Sequence, residues 1–199
     1  NNKIAILGAG GHGKVVGEIA YLNKFEVIDF YDDIKFSTKE NFPFQILGTS
    51  KDFKNNLKKY DACFLAIGNN KIRYEKNIWL GKSNQKLVNL FHPNSFISKN
   101  TIIGKGNCVM ANAVINIGSS IGNGVIINSS ASIDHDCIVQ DFAHVSPNCS
   151  LSGNVNVGKF THVGTGSSVH PGIKIGNNVK IGVGSRIYKN ILDNTIYKD

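Results

Sequence analysis

From Ile97 to Ile187, every sixth residue is aliphatic. The series runs Ile97, Ile103, Val109, Ile115, Ile121, Ile127, Ile133 and Val139, then Val145, Leu151, Val157, Val163, Val169, Ile175, Ile181 and Ile187, without exception. A period of six matches neither the 3.6-residue helix nor the two-residue alternation of a strand. It is the period of a solenoid whose flat faces each consume six residues, and an internal repeat constrains a fold more than any other sequence signal.

The remainder of each hexad agrees. The residue four after each aliphatic is usually small or branched, as at Ala113, Ser119, Ala131, Cys137, Ala143, Cys149, Thr161 and Ser167. The residue one after is often glycine, as at Gly104, Gly122, Gly158, Gly164, Gly176 and Gly182. This pattern resembles the hexapeptide repeat of the left-handed parallel β-helix. Residues two apart on a strand point the same way, so the small residue and the next aliphatic both face inward. The residues after the aliphatic turn the corner, where glycine and asparagine are expected because corners call for positive φ. Three hexads make one triangular coil of eighteen residues. Residues 97–192 give about five coils, stacked at roughly 4.8 Å.

Composition limits the rest. The chain has 199 residues, of which 41% are hydrophobic, enough for one or two domains. No apolar run is long enough to span a bilayer and no signal peptide is visible, so no membrane span and a cytoplasmic location are expected. The net charge of +8 is compatible with nucleic acid. No recognition helix, RNA-binding motif or zinc finger accompanies it, so anionic small molecules are the expected partners and nucleic acid is not. The four cysteines lack metal-type spacing. Cys137 and Cys149 fall on inward positions, which predicts buried thiols rather than disulfides.

The first ninety residues follow another pattern. Strands are expected at Lys3–Leu7, Glu26–Phe30, Asp61–Ile67 and Lys86–Leu90, helices at about Lys14–Asn23 and Ile72–Leu80, and an irregular stretch through Pro43. Alternating strands and helices predict a small Rossmann-like parallel α/β sheet. The expected domains are therefore 1–92, α/β, and 93–199, β-helix.

Between the first strand and helix lies Gly8-Ala9-Gly10-Gly11-His12-Gly13, with Asp32 and Asp33 about twenty residues on. Formally this is a dinucleotide fingerprint. Some four strands are too few for a whole dinucleotide, and no hydride-transfer domain follows. What remains is a glycine loop at a helix N-terminus, which suits a diphosphate. Asp32 suits a ribose or base, and Gly68 and Asn69 end the next strand.

Taken together, GAGGHG (8–13), DD (32–33), AIGNN (66–70), KLVNLFHPNSFIS (86–98), IDHDC (133–137) and DFAHVS (141–146) resemble the bacterial nucleotide-sugar N-acetyltransferases that acetylate a 4-amino sugar on UDP. Sialic acid O-acetyltransferases share the architecture. The resemblance implies acetyl-CoA as co-substrate, no metal, and a homotrimer with active sites between subunits. It implies that His135 is the general base, oriented by Asp136, where relatives of the bacillosamine type carry Glu. It implies further that His144 bonds the thioester region and that Gly153, Thr165 and Val183 line the CoA groove. Gly10, Gly11, His12, Asp32, Asp33 and Gly68 would hold the nucleotide.

The hexad register gives these residues positions. His135 and Asp136 are adjacent corner residues, and a corner lets neighbouring side chains converge. Asp134 projects from the strand and is the poorer partner. His144 points outward from the middle of a face, with His162 one coil on. Two further enzyme readings remain: sugar O-acetylation, and a zinc lyase using His135, His144 and His162. A structural β-helix without catalysis is the non-enzymatic alternative.

Overall fold

Residues 2–34 and 43–198 are described in the computed structural model. They fall into two units, Asn1–Leu90 and Phe91–Asp199. Within the irregular stretch expected before Pro43, residues 35–42 lie outside the described residues.

The first unit is a four-stranded parallel sheet of β1 (Lys3–Leu7), β2 (Val27–Tyr31), β3 (Ile46–Gly48) and β4 (Ala62–Leu65), in the order β3-β2-β1-β4. The central strand is β1, apolar along its length and buried from Ile4 to Leu7, as expected for a strand covered on both faces. Helices α1 (Gly11–Leu22), α2 (Ser50–Asn56) and α3 (Asn70–Leu80) accompany the sheet.

Four strands were expected; three of them form and the fourth does not. Residues 86–90 do not form a sheet strand; Leu87 makes an isolated bridge to Cys63, and Leu90–Phe91 pairs into the β-helix. The missing member is β3, followed by α2. A capping box begins that helix: the Thr49 side chain accepts from Asp52 N, and the Asp52 carboxylate accepts from Thr49 N. Helices α1 and α3 also begin earlier than expected, so Gly11, His12 and Gly13 form the first turn of α1.

The second unit is the left-handed parallel β-helix. Two-residue strands stack into three parallel sheets of seven, six and five strands. Face 1 runs from Leu90–Phe91 through His144–Val145 to Ile196–Tyr197. Face 2 runs from Phe96–Ile97 through Ser132–Ile133 to Arg186–Ile187. Face 3 runs from Ile102–Ile103 to Lys174–Ile175. The stacking register is eighteen residues, as in Ile126 opposite His144 opposite His162.

From Val109 to Ile187 every hexad aliphatic is buried, and Ile97 and Ile103 pack against the same core. At roughly 25 cal/mol per Å² of apolar surface, this continuous core is the main source of stability. The polar residues in the inward small position satisfy themselves along the axis. Ser119 Oγ donates to Asp134 O (2.8 Å), Thr161 Oγ1 to Gly176 O (2.6 Å) and Ser167 Oγ to Gly182 O (3.0 Å). Cys137 and Cys149 do likewise, through Sγ to Ser152 O and Gly164 O. All four cysteines are free and buried.

Positive φ accounts for some corner glycines, as expected, but not for those directly after the aliphatic. Positive φ falls on the third residue after the aliphatic, at Asn112, Gly118, Ser130, Asp136, Asn148 and Asn154 among others. Of the glycines immediately after the aliphatic, Gly104, Gly122, Gly158, Gly164 and Gly176 are needed for space, and Gly182 is not. A Cβ on Gly158 or Gly176 would meet backbone atoms of the adjacent coil at 2.5 Å.

The third corner position therefore disfavours β-branched residues. Asn112→Val, at φ 57°, is expected to cost about 1–2 kcal/mol, whereas Asn112→Gly should be near neutral. Denaturant midpoints of the two variants check this.

Candidate active site

His135 and Asp136 form the corner between faces 2 and 3. The left-handed conformation of Asp136 (φ 58°) is the local cause of their pairing, because it turns two consecutive side chains toward one another where a straight strand would set them apart. Aspartate tolerates this region better than most residues. His135 Nδ1 lies 2.8 Å from Asp136 Oδ2. Asp134 acts differently: its Oδ1 accepts from His135 N (2.8 Å) and from Asn116 Nδ2 (3.2 Å), fixing the backbone of the corner.

The imidazole pKa is raised from its ordinary value, first by the hydrogen bond to Asp136 and then by the charge of Asp134. The dyad is open to solvent, with 57% and 66% side-chain exposure. It stands beside a cavity of about 560 Å³ bounded by Ser152, Gly153, Asn154 and Gly172. Gly153, one coil on from His135, lies directly against the ring.

His144 is on face 1, across the prism from that corner. It is half-buried, its Nε2 is 3.1 Å from Asn128 Nδ2, and its ring stacks on His162 at 4.6 Å between centroids. His162 Nε2 is 2.8 Å from Ser146 Oγ. Thr165 and Val183 both lie on the corner between faces 1 and 2. Within one chain, the expected residues thus separate into two groups. His135, Asp136 and Gly153 share one corner, while His144, Thr165 and Val183 flank face 1. The three histidines of the zinc reading do not converge, and no cluster of three or more metal-ligating residues occurs among the described residues.

In the first unit the glycine loop divides by function. Gly8 (φ 109°) and Gly13 are required by packing: a Cβ would strike Ala66 O in one case and Gly8 O in the other. A Cβ on Gly10, Gly11 or Gly68 would meet nothing within 4 Å. Gly10 caps α1 without a side-chain bond, and the first turn carries no acid. This helix terminus therefore presents N–H groups and the positive end of its dipole.

The two aspartates are largely occupied within the chain. Asp32 accepts from Ala9 N (2.7 Å) and Ile34 N (2.9 Å), which holds the loop to the end of β2. Asp33 accepts from Ser50 N (2.7 Å) and from Lys76 Nζ (3.3 Å). Its carboxyl lies below the usual range, chiefly through the Ser50 backbone bond.

Sequence reasoning missed Arg73, buried to 1%. Its guanidinium donates to Ile67 O (2.7 Å), Gly68 O (3.2 Å) and Asn70 Oδ1 (2.9 Å). Burial, and secondarily the charge of Arg73, lower the pKa of His12 to about 4. No sequence pattern distinguishes this arginine; the nearest signal is its place one turn into α3.

Known proteins sharpen this picture. The profile of the PglD N-terminal domain matches residues 3–77. A UDP-N-acetylbacillosamine N-acetyltransferase of Bacillus subtilis (strain 168) is 38% identical over 111 residues, which is 54% of this chain and 51% of that protein. The match therefore spans about half the length of that curated relative. The acetyltransferase domain of PglB from Neisseria gonorrhoeae, solved in complex with acetyl coenzyme A, is 38% identical. That similarity covers 100% of this chain and 97% of the other, with a TM-score of 0.93. The chain belongs to the nucleotide-sugar N-acetyltransferase family. A perosamine N-acetyltransferase from Caulobacter crescentus, a histidine-to-asparagine variant with CoA and GDP-perosamine bound, is 29% identical. It has a TM-score of 0.93, covering 100% of this chain and 94% of that one.

The expectation of a β-helix acetyltransferase preceded by a small parallel sheet thus agrees with both fold and family. Among the described residues, no helix is long and apolar enough to cross a membrane.

A pH prediction follows from His12. Its folded pKa of about 4 lies below the ordinary 6.5, so the unfolded chain takes up the proton first as pH falls. The associated stability is present above pH 6.5 and is lost between 6.5 and 4, on the order of 3 kcal/mol in all. Denaturant unfolding across that range should show the loss, and His12→Gln should remove its pH dependence.

Proposed function

We propose that this protein transfers the acetyl group of acetyl-CoA to the 4-amino group of a UDP-linked deoxy-amino sugar, with His135 as general base and Asp136 as its orienting partner. The observation that carries the reading is the 2.8 Å contact between His135 Nδ1 and Asp136 Oδ2 beside an open cavity. With Nδ1–H donating to the carboxylate, Nε2 carries the lone pair.

The amine nitrogen attacks the thioester carbonyl, and Nε2 takes the proton that nitrogen sheds. Collapse of the tetrahedral adduct breaks the C–S bond, and the imidazolium returns its proton to the departing thiolate. Holding both substrates together supplies much of the rate enhancement. No acyl-enzyme is needed. Cys137, next to the dyad, is buried inside the prism with its thiol pKa raised by burial, so it is unsuited to act as a nucleophile.

The nucleotide is assigned to the first unit. Gly10 and Gly11 present the open N-terminus of α1 to the diphosphate. Gly68 leaves room beside it, and His12, neutral at pH 7, bonds without adding charge. Asp32 and Asp33 offer their remaining lone pairs to ribose or base. The B. subtilis relative is named for a UDP sugar, which favours UDP over the GDP of the C. crescentus protein.

Acetyl-CoA is assigned to His144, Thr165 and Val183, with its thioester reaching His135 and Gly153. These groups lie on different sides of one prism, so a single CoA touches both only when two copies supply them. The family resemblance implies that the copies form a homotrimer with a site at each interface. A cytoplasmic location suits four free, buried thiols.

His135→Ala is expected to lower kcat by roughly 10²–10⁴-fold with its melting temperature preserved. Undiminished turnover would remove His135 from the mechanism. A panel of UDP-, dTDP- and GDP-linked 4-amino sugars with thiol-release detection should show UDP preferred. Because the general base must be neutral, activity should rise with pH through the raised His135 pKa. In Asp136→Asn that acid limb should move to lower pH while the plateau falls.

A further inference from the structure

We propose that Gly118 and Gly153 are positioning residues: the coil before the dyad leaves the space for the Asp136 carboxylate, and the coil after it leaves the space for the His135 imidazole. The inference rests on the assignment of His135 as general base, and it adds two residues that hold that base in place.

The contacts set these glycines apart from those that make way for backbone; Gly124 likewise makes way for a side chain, but that side chain is the apolar Phe142 ring. A Cβ on Gly158, Gly164 or Gly176 would meet chiefly the backbone of the adjacent coil, a packing requirement of any tightly stacked β-helix. On Gly153 it would lie 2.5 Å from His135 Nε2, 2.6 Å from Cε1 and 3.2 Å from Cδ2. All three atoms belong to one imidazole. On Gly118 the nearest atom would be Asp136 Oδ1, well inside van der Waals contact. Positions 118 and 136 differ by one coil, as do 135 and 153. Each member of the dyad thus lies against its own glycine, and the two glycines are on opposite sides along the prism axis.

The consequences of adding a methyl group differ at the two sites. Gly153 has no positive φ, so alanine there incurs no backbone strain. The group that must yield is the exposed, mobile ring of His135, so the fold should survive while the ring turns from its place. Gly118 has φ 78°, so alanine adds strain to the collision. The displaced group there is the carboxylate that fixes the imidazole tautomer. The charged groups about the ring are Asp134 and Asp136 on its own corner. Its neighbours from the adjoining coils, Asn116, Gly118, Gly153 and Asn154, carry no charge.

Two measurements test the proposal. The first is a double-mutant cycle on acetyl transfer using Gly153→Ala, His135→Ala and the double variant. Gly153→Ala should keep its melting temperature and lose about 10²-fold in kcat, the scale of a 1 Å misplacement. In the His135→Ala background it should cost nothing further. A loss that adds in full to that of His135→Ala overturns the proposal, as does a fully active Gly153→Ala beside a crippled His135→Ala.

The second reads the His135 ring by NMR titration and does not depend on catalysis. Gly118→Ala should bring the His135 titration down toward pH 6.5, as Asp136→Asn does. Gly166→Ala should leave it unchanged, since its backbone has φ 70° and a Cβ there meets nothing. Equal shifts in both alanine variants would assign the effect to backbone strain and overturn the role of Gly118. Should His135→Ala stay fully active, the base assignment fails, while the titration still decides whether the glycines seat the dyad.

Discussion

Each coil of the second unit is bonded to the next by backbone hydrogen bonds at a fixed offset, such as Ile126 N to Ala143 O and Asn128 N to Val145 O. That ladder makes residue i the neighbour of i+18 and of little else on its face. Packing, polar satisfaction and chemistry must all be arranged within this offset. The core meets it with one aliphatic per hexad. Inward hydroxyls and thiols meet it by donating to a carbonyl fifteen residues on. The offset also sets what surrounds a functional residue: His135 faces Gly153, Asp136 faces Gly118, and His144 faces His162.

Corners are where a parallel solenoid can do chemistry. On a face, consecutive side chains alternate between core and solvent, so adjacent residues cannot cooperate. At the third corner position the left-handed backbone brings two neighbours together, and the chain places its acid there. Aspartate has one methylene fewer than glutamate, yet Asp136 closes to 2.8 Å. Its backbone conformation already turns it toward the ring. Reach is supplied by φ rather than by side-chain length.

The β-helix was legible because its signal is redundant. Sixteen aliphatics at one spacing fix the register, and register alone sorts side chains into inward, outward and corner. The pairing of His135 with Asp136 and the stacking of His144 on His162 follow from counting. The first unit was less legible because its signals are local and short. Ile46–Gly48 is three residues long, too short for periodicity, although Thr49 and Asp52 spell out a capping box. The burial of Arg73 and the bond from Lys76 to Asp33 across 43 residues depend on tertiary packing, which no local pattern encodes. Positive φ was rightly expected for the glycines at the third corner position but misread as the cause of those directly after the aliphatic: composition marks where glycine occurs, and only the position of the next coil shows whether it is needed for φ or for space.

That distinction applies to both units. Gly8 and Gly13 are fixed by packing against Ala66 and against one another, while Gly10, Gly11 and Gly68 border empty space. In the solenoid, Gly158 and Gly164 make way for backbone, and Gly118 and Gly153 make way for the side chains of Asp136 and His135. A glycine whose absent Cβ would strike only backbone contributes to the fold. One whose absent Cβ would strike nothing, or strike only a reactive side chain, is not accounted for by the fold alone. By this criterion Gly10, Gly11, Gly68 and Gly153 are among the glycines that packing does not require, whereas Gly118, like Gly166, Gly172 and Gly184, is already called for by its positive φ. The first three lie at the N-terminus of α1 and the end of β4, and Gly153 lies against His135. Gly10, Gly11 and Gly68 border the place proposed for the nucleotide, and Gly153 the place proposed for proton transfer.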